Sequence, residues 1–545
     1  MALLLGLSIA IGAVMADVYF HRGIETGDEV PTVVQATGRE LAVNVDLTVF
    51  PREQLEAVAA TLQSQGFLYV RQAVEWRSVE LERGRFIWDR YDPIVDALTN
   101  HGLKPVLVLH TSPDWARAPD AVGQPDAPPR DPSTYATFVS EVVTRYSSNV
   151  EFVQLWDLPN RAERWGGISA LAGDYIGLLA EGSNAARTAN PEAKVLLAEL
   201  DPAPDNQSFG ADLQFLRALY NLEGASAFFD VVAIRLDGGT ATPYDRTVDR
   251  THDNFSRAIL FRQLMLEAGD DGKSVWATSY GWNAGGETTE LSTGDQADFM
   301  VAGHRRARAE WPWMGPLFAW DYLPTEGEPG YALVTREGGA TEALIALEEY
   351  AASGAVGVAG TGYVPMDSRP VAYEGTWSDQ HLDRRTFQFT AEVGATATLS
   401  FRGTGVIAIL RESPQAGLVH VTIDGKPLEG WPGTKTASEI DLFWTQATDV
   451  PVVLATGLDD GVHQLSITLA EPGQLTIGGL IVTRKVPFMW PVVVLVCAGA
   501  LLVVFALREL AYVTAIRAGY LQRREGIELR PPLPTLPDWR PMRRA

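Results

Sequence analysis

The sequence predicts a (β/α)8 TIM barrel, followed by an antiparallel β-sandwich of jelly-roll type and a C-terminal transmembrane helix. Three observations predict it. Between residues 35 and 355, eight short apolar runs alternate with amphipathic helical patterns. From 366 to 485 the chain turns to short β-type runs separated by turn residues. From Val486 to Leu507 it passes 22 residues without a charge. A length of 545 residues accommodates two or three domains, and 46% hydrophobic residues with 15 Trp supply ample core. The formal charge of −24 argues against nucleic acid or an anionic membrane surface as partner of the folded domains. The single cysteine, Cys497, lies in the apolar run, which excludes a disulfide framework, a Cys-based zinc site and a soluble thiol nucleophile. The eight His form no His-Glu-x-x-His or comparable cluster, so neither a metal site nor a cofactor is expected.

Taken in order, residues 1–22 open with an apolar stretch, Ala2 to Met15. It reads as a signal peptide cleaved after Val14-Met15-Ala16, or as a signal anchor running to Phe20. The barrel, 35–355, is expected to place strands near Leu41–Leu47, Phe67–Val74, Lys104–Leu109, Val150–Trp156, Lys194–Ala198, Val231–Ile234, Ser274–Thr278 and Leu317–Trp320. One intervening helix shows its apolar face at Tyr135, Phe138, Val139, Val142, Val143 and Tyr146. An open doubly wound sheet is the alternative; no Gly-rich phosphate loop follows the first strand to support it. In a barrel, function sits where strands end and βα loops begin. Those ends carry Trp76, Trp115, Trp156, Trp276, Trp282 and Trp320, interleaved with Arg71, Glu75, Asp157 and Asp321. Indole faces pack on the C–H faces of sugar rings, and carboxylates and Arg bind hydroxyls, so the group points to a sugar cleft.

Several segments resemble clan A glycoside hydrolases of the β-xylosidase/α-L-iduronidase type. Arg71…Trp76…Glu80…Gly84…Phe86…Trp88…Asp92 is similar to the pattern after their second strand, and Thr111-Ser-Pro113-Asp-Trp115-Ala to the segment after the third. Tyr135 to Tyr146 resembles their helix before the fourth strand, and Phe229-Asp230-Val-Val-Ala the start of their sixth strand. Phe152-Val-Gln-Leu-Trp-Asp-Leu-Pro-Asn160 resembles the fourth-strand signature that ends Trp-Asn-Glu-Pro-Asn and continues to Trp165-Gly166. The resemblance implies a sugar-binding cleft with Arg71, Trp76, Trp115, Trp156, Asn160, Trp282 and Trp320 as substrate-binding candidates.

The same alignment removes the chemistry. Retaining enzymes of this clan need two carboxyl groups about 5–5.5 Å apart, one an acid/base and one a nucleophile. The acid/base position holds Leu158. The nucleophile position, in Lys273-Ser-Val-Trp276-Ala-Thr-Ser279-Tyr-Gly281, holds Ser279, and a hydroxyl without an adjacent base is a poor nucleophile. The family's sixth-strand His-Pro-Tyr is replaced by Arg235-Leu236-Asp237. Relocated carboxylates are the alternative, with Glu199, Asp157, Asp321, Glu75 and Asp237 as candidates; for Asp157, pairing with Arg71 is the favoured role.

Residues 356–365 form a Gly-rich break read as a linker. In 366–485, Phe401-Arg-Gly-Thr-Gly405-Val406, Val421-Thr-Ile-Asp424-Gly425 and Gly457-Leu…Gly461-Val-His463-Gln-Leu resemble galactose-binding-like jelly rolls. Such a domain is either a second sugar binder, with Trp377, Trp431 or Trp444 as platforms, or a spacer. The run 486–507 is about 33 Å long at ~1.5 Å per residue, enough for a hydrocarbon core of roughly 30 Å. The Pro-rich tail, 508–545, carries eight Arg against four carboxylates, so the positive-inside rule assigns it to the cytoplasm and the preceding domains to the outside of the plasma membrane. Three functions follow as expectations. The first is a degenerate barrel that binds a poly- or oligosaccharide or an unidentified protein partner without cutting. The second is a hydrolase using non-family carboxylates, and the third a structural envelope component.

Overall fold

The computed structural model describes residues 2–27, 33, 40–206, 209–284, 291–325, 329–382, 385–428, 439–486 and 490–524. The chain divides into two compact units, residues 23–486 and the pair of terminal helices.

Eight parallel strands close a barrel in the order β1 to β8: Leu41–Asn44, Tyr69–Glu75, Lys104–His110, Phe152–Leu155, Lys194–Leu196, Val231–Asp237, Ser274–Gly281 and Met314–Ala319. Each falls on an expected apolar run. The barrel closes because strand residues two apart share a face, so each strand sends alternate side chains inward. One inward layer takes one residue from every strand: Ala42, Tyr69, Val106, Phe152, Leu196, Val231, Trp276 and Phe318. Trp276 fills its centre, with ring centroids 4.6 Å from Phe152 and 5.6 Å from Tyr69. Gly315 makes room: a Cβ there would lie 2.2 Å from the Trp276 indole. Trp276 is therefore the plug of the barrel and not a residue of its mouth. Outside the strands, helices pack with apolar faces inward; in Pro132–Arg145 the buried set contains Tyr135, Phe138, Val139, Val142 and Val143.

The C-terminal domain is a ten-stranded antiparallel sheet that closes over its own core. Its strands are β9 Gly362–Val364, β10 Val371–Glu374, β11 Ser378–Leu382, β12 Arg385–Thr390, β13 Thr396–Glu412, β14 Leu418–Ile423, β15 Lys426–Pro427, β16 Glu439–Asp441, β17 Thr448–Leu469 and β18 Leu475–Thr483. The stretch expected as a linker contributes β9, which pairs with β18. Residues 396–412 form one long strand, β13. Its register shifts at Gly403–Gly405, where a bulge bends it.

This domain is fixed to the N-terminal end of the barrel. The Arg369 guanidinium donates to the carbonyls of Gly66 (3.1 Å) and Phe67 (3.2 Å), and Lys104 at the start of β3 pairs with Asp367 (3.6 Å). The mouth at the strands' C-terminal ends thus opens away from it.

The terminal helices span Ala2–His21 and Trp490–Arg524. Both are long and apolar enough to cross a membrane. The C-terminal helix runs past Leu507 to Arg524, so the first part of the expected tail is helical; residues 525–545 lie outside the described residues.

On the barrel's outer layer, Arg257 and Asp212 form a fully buried bidentate pair, 2.6 and 2.5 Å. Removing one partner strands the other charge in a low-dielectric interior. Asp212→Ala is expected to destabilise the protein by about 3–5 kcal/mol in urea unfolding of the detergent-solubilised chain. The double change Asp212→Leu/Arg257→Met is expected to recover most of that loss; equal losses for the single and double variants would contradict the pairing argument.

Candidate functional site at the barrel mouth

One strand period above the aromatic layer, the inward positions turn polar. Two residues beyond Ala42, Tyr69, Phe152 and Trp276 stand Asn44, Arg71, Gln154 and Thr278. Arg71 donates from Nη2 to Asp157 Oδ1 (2.7 Å), from Nε to Gln154 Oε1 (3.0 Å) and from Nη1 to Asn44 Oδ1 (3.1 Å). Gln154 Nε2 donates to the same Asp157 oxygen (3.0 Å), and Asn44 Nδ2 to the Thr278 carbonyl (2.8 Å). Burial pushes the Asp157 carboxyl up, but Arg71, Arg164, His110 and the Gln154 hydrogen bond together hold it below its ordinary value. His110, at the end of β3, is pushed below its ordinary value by burial, against the pull of Asp157.

Glu199 follows β5 and is 3% exposed. Ser279 Oγ donates toward both of its oxygens (2.8 and 3.0 Å), and Thr278 Oγ1 toward one (2.8 Å). Burial lifts this carboxyl above its ordinary value and Asp157 adds to the lift, outweighing Arg71, Arg235 and the Ser279 bond. Leu158 is 6% exposed, and its N–H donates to the Glu199 carbonyl (3.0 Å). Trp156 and Leu158 both have left-handed backbones, φ 72° and 46°, as does Thr111 after β3, φ 65°. Positive φ in bulky residues costs of order 1–3 kcal/mol each and clusters at functional sites.

A second polar cluster at the mouth is built on Asp201. Its Oδ2 receives Arg161 Nε (3.0 Å) and Arg235 Nη1 (3.2 Å). Its backbone exchanges two hydrogen bonds with the Asn160 amide (2.7 and 2.9 Å). The Arg235 guanidinium lies over Trp320, 4.1 Å from the ring centroid, and Trp320 stacks on Tyr331 at 4.2 Å. The Tyr331 hydroxyl donates to Asp237. Next to it, Asp253 is pushed up to about 7 by burial and by the Asp237 charge. Asp321 is bridged through its backbone to Ala332 beyond β8, and Glu75 pairs with Arg77 (3.1 Å).

The expected sugar platforms need correcting. Trp76, Trp156 and Trp282 are fully buried, and each indole N–H is satisfied inside: Trp76 by Glu80 (2.7 Å), Trp156 by the Arg164 carbonyl (3.0 Å) and Trp282 by the Ala241 carbonyl (2.9 Å). They have no open face for a sugar. Trp320 is buried between its partners, and Trp115 is partly buried with its N–H on the Glu80 carbonyl (2.9 Å). The structure joins Arg71 to Asp157, Glu199 to Ser279, and Asn160 to Asp201. Sequence reading missed Asn44, Gln154, Arg161, Asp201, Asp253 and Tyr331. The first two were signalled by the two-residue period and Asp201 by its place two residues past Glu199; Tyr331 carried no local signal. Among the described residues no three His, Cys, Asp or Glu are arranged to hold a metal ion.

Because its folded value is raised, Glu199 binds its proton more tightly in the folded than in the unfolded chain. Its contribution to stability is present below the unfolded carboxylate range, near 4.3, and is lost as pH rises through the folded value. Glu199→Gln, which keeps the shape and an acceptor for the hydroxyls, is expected to be more stable than wild type at pH 7.5. The difference is expected to shrink toward pH 4.5. Thermal unfolding across that range checks this; a gap that widens toward acid would reverse the sign.

No family model matches this sequence, and no curated protein matches it. Among solved structures it is similar to a family 39 glycoside hydrolase from Bacteroides cellulosilyticus WH2, with 16% identity over 81% of this chain and 83% of that one, TM-score 0.48. It is similar to a monomeric beta-xylosidase from Caulobacter crescentus CB15, with 15% identity over 82% and 98%, TM-score 0.43. It is also similar to a GH30 endoxylanase from Clostridium papyrosolvens C71, with 12% identity over 83% and 98%, TM-score 0.42. Likeness at this level does not reach activity or substrate, and the barrel itself rests on the closed eight-stranded topology described above.

Proposed function

We propose that this is a membrane-anchored, glycoside-hydrolase-like protein whose barrel mouth binds a polysaccharide or envelope glycan without hydrolysing it. One observation carries the reading: the carboxyls near the two expected catalytic positions are committed to internal partners. Leu158 and Ser279 stand at those positions. Asp157 is the counterion of Arg71, Glu199 accepts from Ser279 and Thr278, and Asp201 is shared by Arg161 and Arg235. A general acid must reach the glycosidic oxygen and a nucleophile the anomeric carbon, and both need an accessible carboxyl. Binding needs only hydroxyl partners. Arg161, Arg164 and Arg77 have partly exposed side chains around the mouth to offer them.

In this reading the domains lie outside the plasma membrane, with the basic tail in the cytoplasm. The C-terminal β domain contributes a second contact through Phe443 and Trp444, 58% and 55% exposed, whose backbone is held on Ser413 (3.1 Å). Trp377 is partly covered, with its N–H on the Glu374 carbonyl (3.0 Å), and Trp431 lies outside the described residues.

A second reading draws on the opposite displacement of Asp157 and Glu199. Two nearby carboxyls pushed apart in proton affinity are the arrangement acid/base catalysts use. One experiment separates the two. The detergent-solubilised chain is incubated with plant, fungal and bacterial-envelope polysaccharides, and bound sugar and new reducing ends are read in the same samples. Binding without release is expected, with Trp444→Ala weakening it severalfold. Release that disappears in Glu199→Gln or Asp157→Asn would instead establish hydrolysis by relocated carboxyls.

A further inference from the structure

We infer that the N-terminal helix, Ala2–His21, is retained in the mature protein as a second membrane span, paired antiparallel with the C-terminal helix through a Gly6–Gly499 backbone contact. The inference rests on the reading of Val486–Leu507 as a membrane span, and it decides between the cleaved and anchored alternatives left open by the sequence.

The contact is closer than any side chain allows. A Cβ on Gly6 would lie 2.6 Å from the Gly499 carbonyl oxygen and 2.8 Å from Leu502 Cβ. A Cβ on Gly499 would lie 2.6 Å from the Gly6 carbonyl oxygen and 3.0 Å from Ala10 Cβ. In lipid, where apolar surface gives helices no reason to associate, small residues that let backbones touch are what hold them together. The covered positions of the first helix recur at three and four residues, Gly6, Ala10, Ala13 and Asp17. Those of the second do the same at Val496, Gly499, Val503 and Ala506. This is the spacing of a helix-pair seam. A leader destined for removal needs apolarity and length, but not a seam matched to a helix almost 500 residues away.

The register accounts for the length. Gly6 meets Leu502 and Val503 while Gly499 meets Ala10, so the helices run antiparallel. Extending that register sets Ala2 level with Leu507 and Arg508, and Tyr19 and Phe20 level with Trp490. The first helix therefore runs alongside the second from Trp490 to Leu507. Its aromatic end lies at the interface level, where such residues concentrate. Its one carboxylate, Asp17, is one turn from that end and pairs with His21 (3.0 Å), away from mid-span.

The folded domains hold the two lead-in segments side by side. The Arg484 N–H donates to the Thr26 carbonyl (2.9 Å), and the Glu25 N–H to the Glu310 carbonyl (2.9 Å). The Glu25 carboxylate meets Arg262 (3.3 Å). The antiparallel pairing puts the start of the first helix on the same side as the end of the second, from which the basic tail continues.

The full chain in membranes of its expression host tests this. Mass spectrometry of the purified mature protein is expected to recover peptides from residues 2–15; a chain beginning after Ala16 would overturn the inference. For the pairing, Ala13→Cys/Val496→Cys in a Cys497→Ser background is oxidised and then cleaved with cyanogen bromide at Met15 and Met489. The peptide ending at Met15 is expected to stay joined to the one beginning at Trp490 until reduction. The outward pair Gly12→Cys/Leu495→Cys is expected to stay separate, and Gly6→Leu to cut the Ala13/Val496 linkage severalfold. Retention without that linkage would overturn the pairing. A chain absent from the carbonate-resistant membrane fraction would overturn the membrane reading itself, a different failure.

Discussion

The Arg71 guanidinium organises the barrel mouth. The strand period fixes its place: two residues above Tyr69 on the inward face of β2, it cannot point anywhere but into the barrel. A cation there is largely withdrawn from water, so acceptors must be supplied for its N–H groups. Asn44, Gln154 and Asp157 supply them. Asn44 then spends its own amide protons on the carbonyls of Thr278 and Ala319. One partly buried cation thereby ties together the upper ends of β1, β2, β4, β7 and β8. Its counterion, Asp157, is held ionised by this role and is a poor proton donor.

That commitment shapes Glu199. With Arg71 already met by Asp157, Glu199 gains less from that cation than it loses by burial, and the Asp157 charge nearby adds to the loss. The hydroxyls of Ser279 and Thr278 suit either protonation state, because a hydroxyl both donates and accepts. In a hydrolase the same separation of proton affinities would assign an acid and a base. Here the group with the raised affinity is 3% exposed and has its oxygens occupied. Displacement of proton affinity measures an environment; catalysis also requires reach.

The eight barrel strands were legible because each is an apolar run bounded by polar residues, a signal confined to a few neighbours. The mouth was legible at strand ends that carry a charged or family-like residue, as at Arg71 and Asp157, and was missed at Asn44 and Gln154, where only the strand period pointed inward. The tryptophans misled because an indole at a strand end looks the same in sequence whether it faces solvent or core. The carbonyls that accept the Trp156 and Trp282 N–H groups belong to Arg164 and Ala241, in segments the sequence does not place. The Asp201 cluster draws on three segments, so no window contains it. In the C-terminal domain, Gly403 and Gly405 bracket a bulge, which carries β13 through as one strand. The short strands β9, β15 and β16 are too brief to show a period. The C-terminal helix outlasts the apolar run because charge ends a membrane span without ending a helix.

The turn after β4 bears on what the mouth is for. Trp156 and Leu158 hold left-handed backbones that Gly or Asn would adopt with less strain, and the Leu158 side chain gains nothing specific from it. The residues that gain are Asp157 and Asn160. The first is delivered to Arg71, the second to the backbone of Asp201, where it fixes the carboxylate that holds Arg161 and Arg235. A turn strained at two residues is sustained by the polar surface it assembles. That surface is a set of arginines oriented by shared carboxylates, and none of its contacts calls for a carboxyl at position 158. Under the binding reading proposed above, the geometry of the loop serves recognition with an apolar residue at position 158.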